Sequence, residues 1–148
     1  MPGQYPSSPY RKTGNLVYFT RMVDKVRLHQ AGELHEDLIA NVGQAFDAYC
    51  CEFLGIQHEE LSKKISEGLS YDALLQWAFE NGHQPSEFEI MLWNGFMTKR
   101  GWQDSLTPKL QERIAESGLT SRSDVLSMFD YLDADEGREP FSQKPLRE

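Results

Sequence analysis

Arg21, Asp24, Lys25 and Arg27 place three cations and one carboxylate within seven residues, where the chain could do chemistry. Asp24 lies three residues from each arginine, so on a helix it can reach either guanidinium. One reading is a solvated ladder of intrahelical ion pairs, each contributing about 0.3–0.5 kcal/mol. The other is an anion site. In that reading Asp24 orients two arginines that offer paired donors to a phosphate or carboxylate, and Lys25 adds a mobile charge. Asp47 flanks the apolar stripe of the following helix. If the two helices pack, it can meet Arg21 or Arg27 and complete a semi-buried network that either holds structure or positions a ligand.

Other constellations are weaker. His29, Glu33 and His35 suggest a metal site, but Gly32 should end the helix between them, which favours solvated side chains. Asp133, Asp135, Glu136 and Gly137 resemble a calcium loop only loosely: the glycine comes one position early and Lys144 stands where a bidentate glutamate is needed. A frayed acidic helix end is the simpler reading, and no metal site is assigned. Cys50 falls on an apolar stripe as a small core residue, with Cys51 beside it and partly exposed. Neither has a cation nearby in sequence to activate a thiolate. Trp77, Trp93 and Trp102 read as core or helix-end packing. No phosphate loop, dinucleotide fingerprint, serine elbow or kinase signature occurs, so catalytic residues stay unassigned and no cofactor is implied.

The elements that must position these residues are short helices separated by glycine. Gly32, Gly55, Gly68, Gly82, Gly101 and Gly118 each follow an apolar run of helical spacing, where a left-handed residue ends a helix at no Cβ cost. Six or seven helices result. The first, about 17–30, carries Phe19, Met22, Val23, Val26 and Gln30 on one side and Arg21, Asp24, Lys25 and Leu28 on the other. The second opens at Asn41 with Gln44 reaching back, and its stripe is Phe46, Tyr49, Cys50 and Phe53. A third offers Leu61 and Ile65, and a fourth, capped by Ser70, presents Leu74, Trp77 and Ala78. Ser86 and Glu89 form a capping box for a fifth, whose apolar residues Phe88, Met91, Leu92, Trp93, Phe96 and Met97 go most of the way round. That pattern predicts the central helix, with Trp102 packing back onto Met97 beyond Gly101. Thr107 and Pro108 begin a sixth. A last one, about 122–132, is capped by Ser121 with Asp124 in the reciprocal position. Leu16 to Phe19 is the only strand candidate, and it leads into a helix. The fold class is therefore all-α.

Length fits one helical domain over residues 16–135, with an N-terminal arm at 1–15 and a charged tail at 136–148. Tyr5, Pro6, Pro9 and Tyr10 could cover the first helix and bring Arg11 and Lys12 to the cationic cluster. Residues 1–30 hold five cations against Asp24 alone, a net of +4, which leaves −12 on the rest of a chain whose total is −8. The acidic balance disfavours general nucleic-acid binding, and the fifth helix is too apolar to read DNA. Adjacent cysteines form no disulfide framework, and neither an apolar leader nor a bilayer-length run is present. The expected setting is cytoplasmic, away from the membrane.

Tyr5, Pro6, Ser8, Pro9, Gly14, Leu16, Arg21, Asp24, Lys25, Arg27, Ala31, Gly32 and Leu34 resemble a bacterial family of short helical proteins catalogued only as a domain of unknown function. Asp47, Phe53, Leu54, Gly55 and Trp77 continue the likeness. Trp93, Asn94, Phe96, Lys99 to Trp102, Asp104, Gly118, Leu119, Arg122, Asp124, Asp130 and Asp133 to Arg138 are similar to a longer branch of it. The resemblance implies a helical fold and no particular activity.

The expected function is non-catalytic binding of an anionic small molecule or an acidic partner surface through Arg21, Lys25 and Arg27, held by Asp24 and Asp47. The alternatives are a small enzyme that grips substrate with the same cations, and an oligomeric scaffold whose exposed aromatics meet a second copy.

Overall fold

Gly14 and Asn15 both take positive φ, 54° and 66°, so the two-residue turn they form twists with the strands it joins. In the computed structural model, which describes residues 2–139, that turn pairs β1 (Lys12–Thr13) with β2 (Leu16–Val17), Thr13 opposite Leu16. Among the described residues this hairpin is the only paired-strand element in an otherwise helical architecture, apart from an isolated bridge between Gln4 and Leu34. The other edge of β2 is closed by side chains. Trp93 Nε1 donates to the Val17 carbonyl at 3.0 Å, while Asn94 accepts from Val17 N–H at 3.0 Å and donates to the Asn15 carbonyl at 2.8 Å. Two residues of one helix thus satisfy backbone groups that a third strand would otherwise pair.

From the hairpin the chain enters α1 (Phe19–Gln30), followed by a 3-10 turn at Glu36–Asn41 and then α2 (Phe46–Leu54), α3 (His58–Ile65), α4 (Tyr71–Asn81), α5 (Glu87–Lys99), α6 (Thr107–Glu116) and α7 (Met128–Asp135). The central helix is α1. Phe19, Thr20, Arg21, Met22, Val23, Lys25 and Val26 are all buried, so its first two turns are enclosed all round, cations included. α3, α4 and β1 pack against it.

The expectation that α5 is central is therefore corrected. It buries Trp93, Asn94, Met97 and Thr98, yet leaves Phe88, Met91, Leu92 and Phe96 at 50–61% exposure. Its capping box forms as expected, and Trp102 keeps half its surface in solvent instead of packing fully onto Met97. α2 starts at Phe46, four residues later than a cap at Asn41 implies, and its buried stripe is Asp47, Cys50, Cys51 and Leu54. The helix is rotated from the expected orientation because a carboxylate on its inner face is satisfied by buried partners. Cys51 is consequently buried, its sulfur 3.9 Å from that of Met22. The last helix begins at Met128, where Ser127 accepts from Asp130 N–H, so the cap at Ser121 is not used.

Residues 2–15 lie over the helices. Gln4 bridges to Leu34, and Pro6, Pro9 and Tyr10 are buried. α7 holds this segment from the other end of the sequence: Tyr10 donates to Asp130 at 2.6 Å, Ser8 Oγ donates to Asp133 at 3.0 Å and Arg138 donates to the Pro6 carbonyl. The helix end at Asp133–Gly137 is accordingly docked, not frayed. Lys144 and the rest of the expected tail from residue 140 onward lie outside the described residues. The main core gathers Tyr10, residues from β2 through α5 and Phe129, and a second apolar cluster, Leu110, Val125 and Tyr131, joins α6 to α7.

Candidate functional site

Arg21 leaves α1 toward α7, where its Nη1 and Nη2 donate to the two carboxylate oxygens of Glu136 at 2.8 and 2.6 Å. Both side chains are 1% exposed. Nη1 also reaches the Ser7 carbonyl at 3.2 Å, whereas the buried Nε has no hydrogen-bond partner. One turn later Lys25 donates to Asp47 at 3.0 Å and to the Tyr18 hydroxyl at 3.3 Å. Tyr18 donates to the same Asp47 oxygen at 2.6 Å, and Gly43 N–H donates to the other at 2.9 Å. Asp47 is fully buried, and so meets Lys25 where the sequence suggested Arg21 or Arg27.

Burial sets the titration of this network. It pushes the Tyr18 hydroxyl well up, assisted by the neighbouring Asp47 charge, so the group stays protonated and donates. Burial lowers the Lys25 ammonium from its ordinary value even though Asp47 opposes the shift. Arg21 is raised, because the Glu136 hydrogen bonds and charge outweigh its desolvation. His58 stands 4.0 Å from Asp47 without a hydrogen bond at Nε2, and burial lowers it. Burial, then Asp47, pushes the Cys51 thiol up to about 12, which makes it a packing residue and not a nucleophile.

Asp24 and Arg27 go elsewhere. Asp24 accepts from the Tyr71 hydroxyl and from Ser7 N–H, and among the described residues it makes no ion pair with Arg21 or Arg27. Arg27 donates to the Leu69 carbonyl and lies over the Tyr71 ring, 4.9 Å from its centre; Arg11 lies 5.3 Å from the same ring. Neither the solvated ladder nor a four-residue cluster forms. α1 sends Arg21 and Lys25 one way and Asp24 and Arg27 another, to anchor the N-terminal segment and α4.

Beside Arg21 and Lys25 lies a cavity of about 260 Å³. α1 forms one wall, the turn into α2 a second, and α6 with α7 the third. Four cations line it, Arg21, Lys25, Lys109 and Arg113, together with the amides of Asn41 and Gln44. The rest is aromatic or aliphatic: Tyr18, Phe46, Tyr49, Tyr131, Leu38, Leu106, Met128 and Leu132, with Ala45 at the turn. No carboxylate is among the lining residues; Asp47 and Glu136 stand behind the cations they neutralise. Tyr18 and Ala45 hold positive φ, 76° and 51°, a backbone conformation uncommon for residues with side chains. Lys109 and Arg113 escaped the sequence reading because nothing local on α6 separates them from an ordinary solvated face.

The family model of a domain of unknown function, DUF5069, matches residues 3–138. The chain belongs to the DUF5069 family. The matched span takes in every residue of the cavity, the N-terminal segment and the docking turn at Glu136 and Arg138. The family description carries no activity, and comparison with curated proteins finds no match. Among the described residues no group of three His, Cys, Asp or Glu side chains converges on a metal position. Asp133 and Glu136, two members of the loose calcium pattern, are instead engaged by Ser8, Arg21 and Arg138. No helix there is long and apolar enough to cross a membrane.

Proposed function

We propose that this chain binds a small organic anion with an apolar body in the cavity between α1, α2, α6 and α7. The observation that carries the reading is the composition of the wall: four cations and no carboxylate among aromatic and aliphatic side chains. Desolvated charge near a ligand acts through a lower effective dielectric than surface charge, so an anion gains more here than on an exposed helix. Arg21 and Lys25 are already balanced by Glu136 and Asp47, and Lys109 lies 3.8 Å from Glu112, which leaves Arg113 as the lining cation in no ion pair among the described residues. The volume falls just short of pockets for drug-sized ligands, which start near about 300 Å³, so a small carboxylate or phosphate ester fits better than a nucleotide.

Binding is favoured over catalysis because the wall offers cations and hydroxyls but neither imidazole nor carboxylate. Asp24, Arg27 and Asp47 act in this reading as supports of α1 and its partners. A thermal-shift series with benzoate, phenyl phosphate and inorganic phosphate tests it. The aromatic anions should stabilise the wild type more than inorganic phosphate does, and Arg113→Ala should lose most of that shift. Equal shifts in wild type and Arg113→Ala, or none with any anion, would overturn the reading.

A further inference from the structure

The outer face of α5 is largely uncovered in the fold and apolar from Phe88 to Phe96, with Tyr49 6.3 Å and Arg100 5.5 Å from the Phe96 ring at its far end. Phe88, Met91, Leu92 and Phe96 are 61, 56, 54 and 50% exposed, and their spacing of three and four residues aligns them into one stripe. Gly95 lies within the stripe. A Cβ built there would meet nothing within 4 Å, so intramolecular packing does not require a glycine at a position where it weakens the helix. A glycine in an exposed helix seam permits one thing a larger residue prevents, the close approach of another backbone.

We infer that α5 is the dimerisation helix and that its occupant is a second copy of this chain, packed antiparallel across a two-fold axis. Phe88, Leu92, Gly95 and Lys99 follow one another at intervals of four, three and four, the spacing of a helix–helix seam. Antiparallel pairing seats Leu92 in the gap at Gly95 of the second copy and lays Phe88 along the aliphatic stem of its Lys99. Charge selects this direction. The first turn of α5 carries Glu87 and Glu89 and its last turn Lys99, so antiparallel packing opposes unlike charges and unlike helix dipoles. Parallel packing would set like ends together. Four apolar side chains, each at least half exposed, present on the order of 400 Å² per copy, comparable with the largest patch on a typical monomer and often functional. Two copies would bury about 800 Å², below the roughly 1,200 Å² at which stable interfaces begin, so the dimer is a weak, concentration-dependent one.

Sedimentation velocity of the full chain over a concentration series tests the inference. A dimer is expected, with Leu92→Glu and Gly95→Gln each shifting it to monomer while circular dichroism keeps the wild-type spectrum. Leu92 is exposed and a Cβ at Gly95 meets nothing within 4 Å, so the variants should fold. Gly95→Gln adds the discriminating arm, because it blocks close approach without removing apolar surface. A wild type that stays monomeric to its highest soluble concentration overturns the proposal, and so does a dimer that survives both substitutions.

Discussion

Arg21 and Glu136 are 115 residues apart and meet in a two-point ion pair with both side chains 1% exposed. Two of the five cations in the opening segment are thus buried, while Arg11 and Lys12 stay exposed. Arg21 and Lys25 turn inward and are neutralised by carboxylates from the acidic remainder, Glu136 and Asp47, so part of the charge asymmetry of the sequence becomes internal attraction. Arg138 closes the same cluster, bonding Asp133, Glu136 and the Pro6 carbonyl.

Glu136→Ala should destabilise the protein by about 3–5 kcal/mol, because it strands a buried guanidinium. Urea unfolding checks this. Glu136→Gln keeps the shape and one acceptor and should cost less; equal losses in the two variants would mean that packing, not charge, is at stake.

Asp47 accepts from Tyr18, Lys25 and Gly43, so Asp47→Ala is expected to cost about 3–5 kcal/mol. Removing Lys25 as well, as Lys25→Met with Asp47→Leu, should recover much of it, since neither charge is then left buried alone. A double-mutant cycle on denaturation midpoints measures the coupling, and additive losses would contradict the pairing.

Stability should fall with acidification through His58. Its burial holds the folded pKa below the ordinary imidazole value of about 6.5 against the pull of Asp47, with Lys25 and His29 adding to the depression. The unfolded chain therefore takes a proton first. The contribution is complete above about pH 6.5 and is lost as pH falls through the folded value. His58→Gln should flatten the slope of stability against pH just below neutrality. Parallel slopes in variant and wild type would remove His58 from the account.

Ala45 has φ 51° and ψ −120°, where glycine is free and alanine is strained. Relief of strain in this region amounts to about 1–3 kcal/mol, partly offset by the greater freedom of an unfolded glycine. Ala45→Gly should raise the denaturation free energy by about 1 kcal/mol. A loss of stability would show that the turn beside the cavity is relaxed.

The helices were legible because their signals are local. Ser86 and Glu89 cap α5, Ser70 caps α4, and Gly55 ends α2 in the left-handed conformation, all within a few residues of the chain. Hydrophobic periodicity located most of the core, and failed where an inward residue is polar. Arg21 lies opposite the apolar stripe of its helix and Asp47 only flanks its own, and the partner each takes, Glu136 for Arg21, Lys25 and Tyr18 for Asp47, arrives from another part of the chain. The opposite failure occurred at α5, whose apolar circumference predicts burial on every side while the fold covers only one.

The amino-acid sequence by itself determined the fold class, the chain's place among short helical proteins, and Arg21 and Lys25 as cations to watch. Only the tertiary structure decided that those two meet Arg113 and Lys109 at one cavity while Asp24 and Arg27 leave for Tyr71 and Leu69. The physical reason is range. Caps, turns and periodicity act over three or four residues, whereas the direction a buried charge takes depends on which counter-charge the packing of distant helices brings within 3 Å.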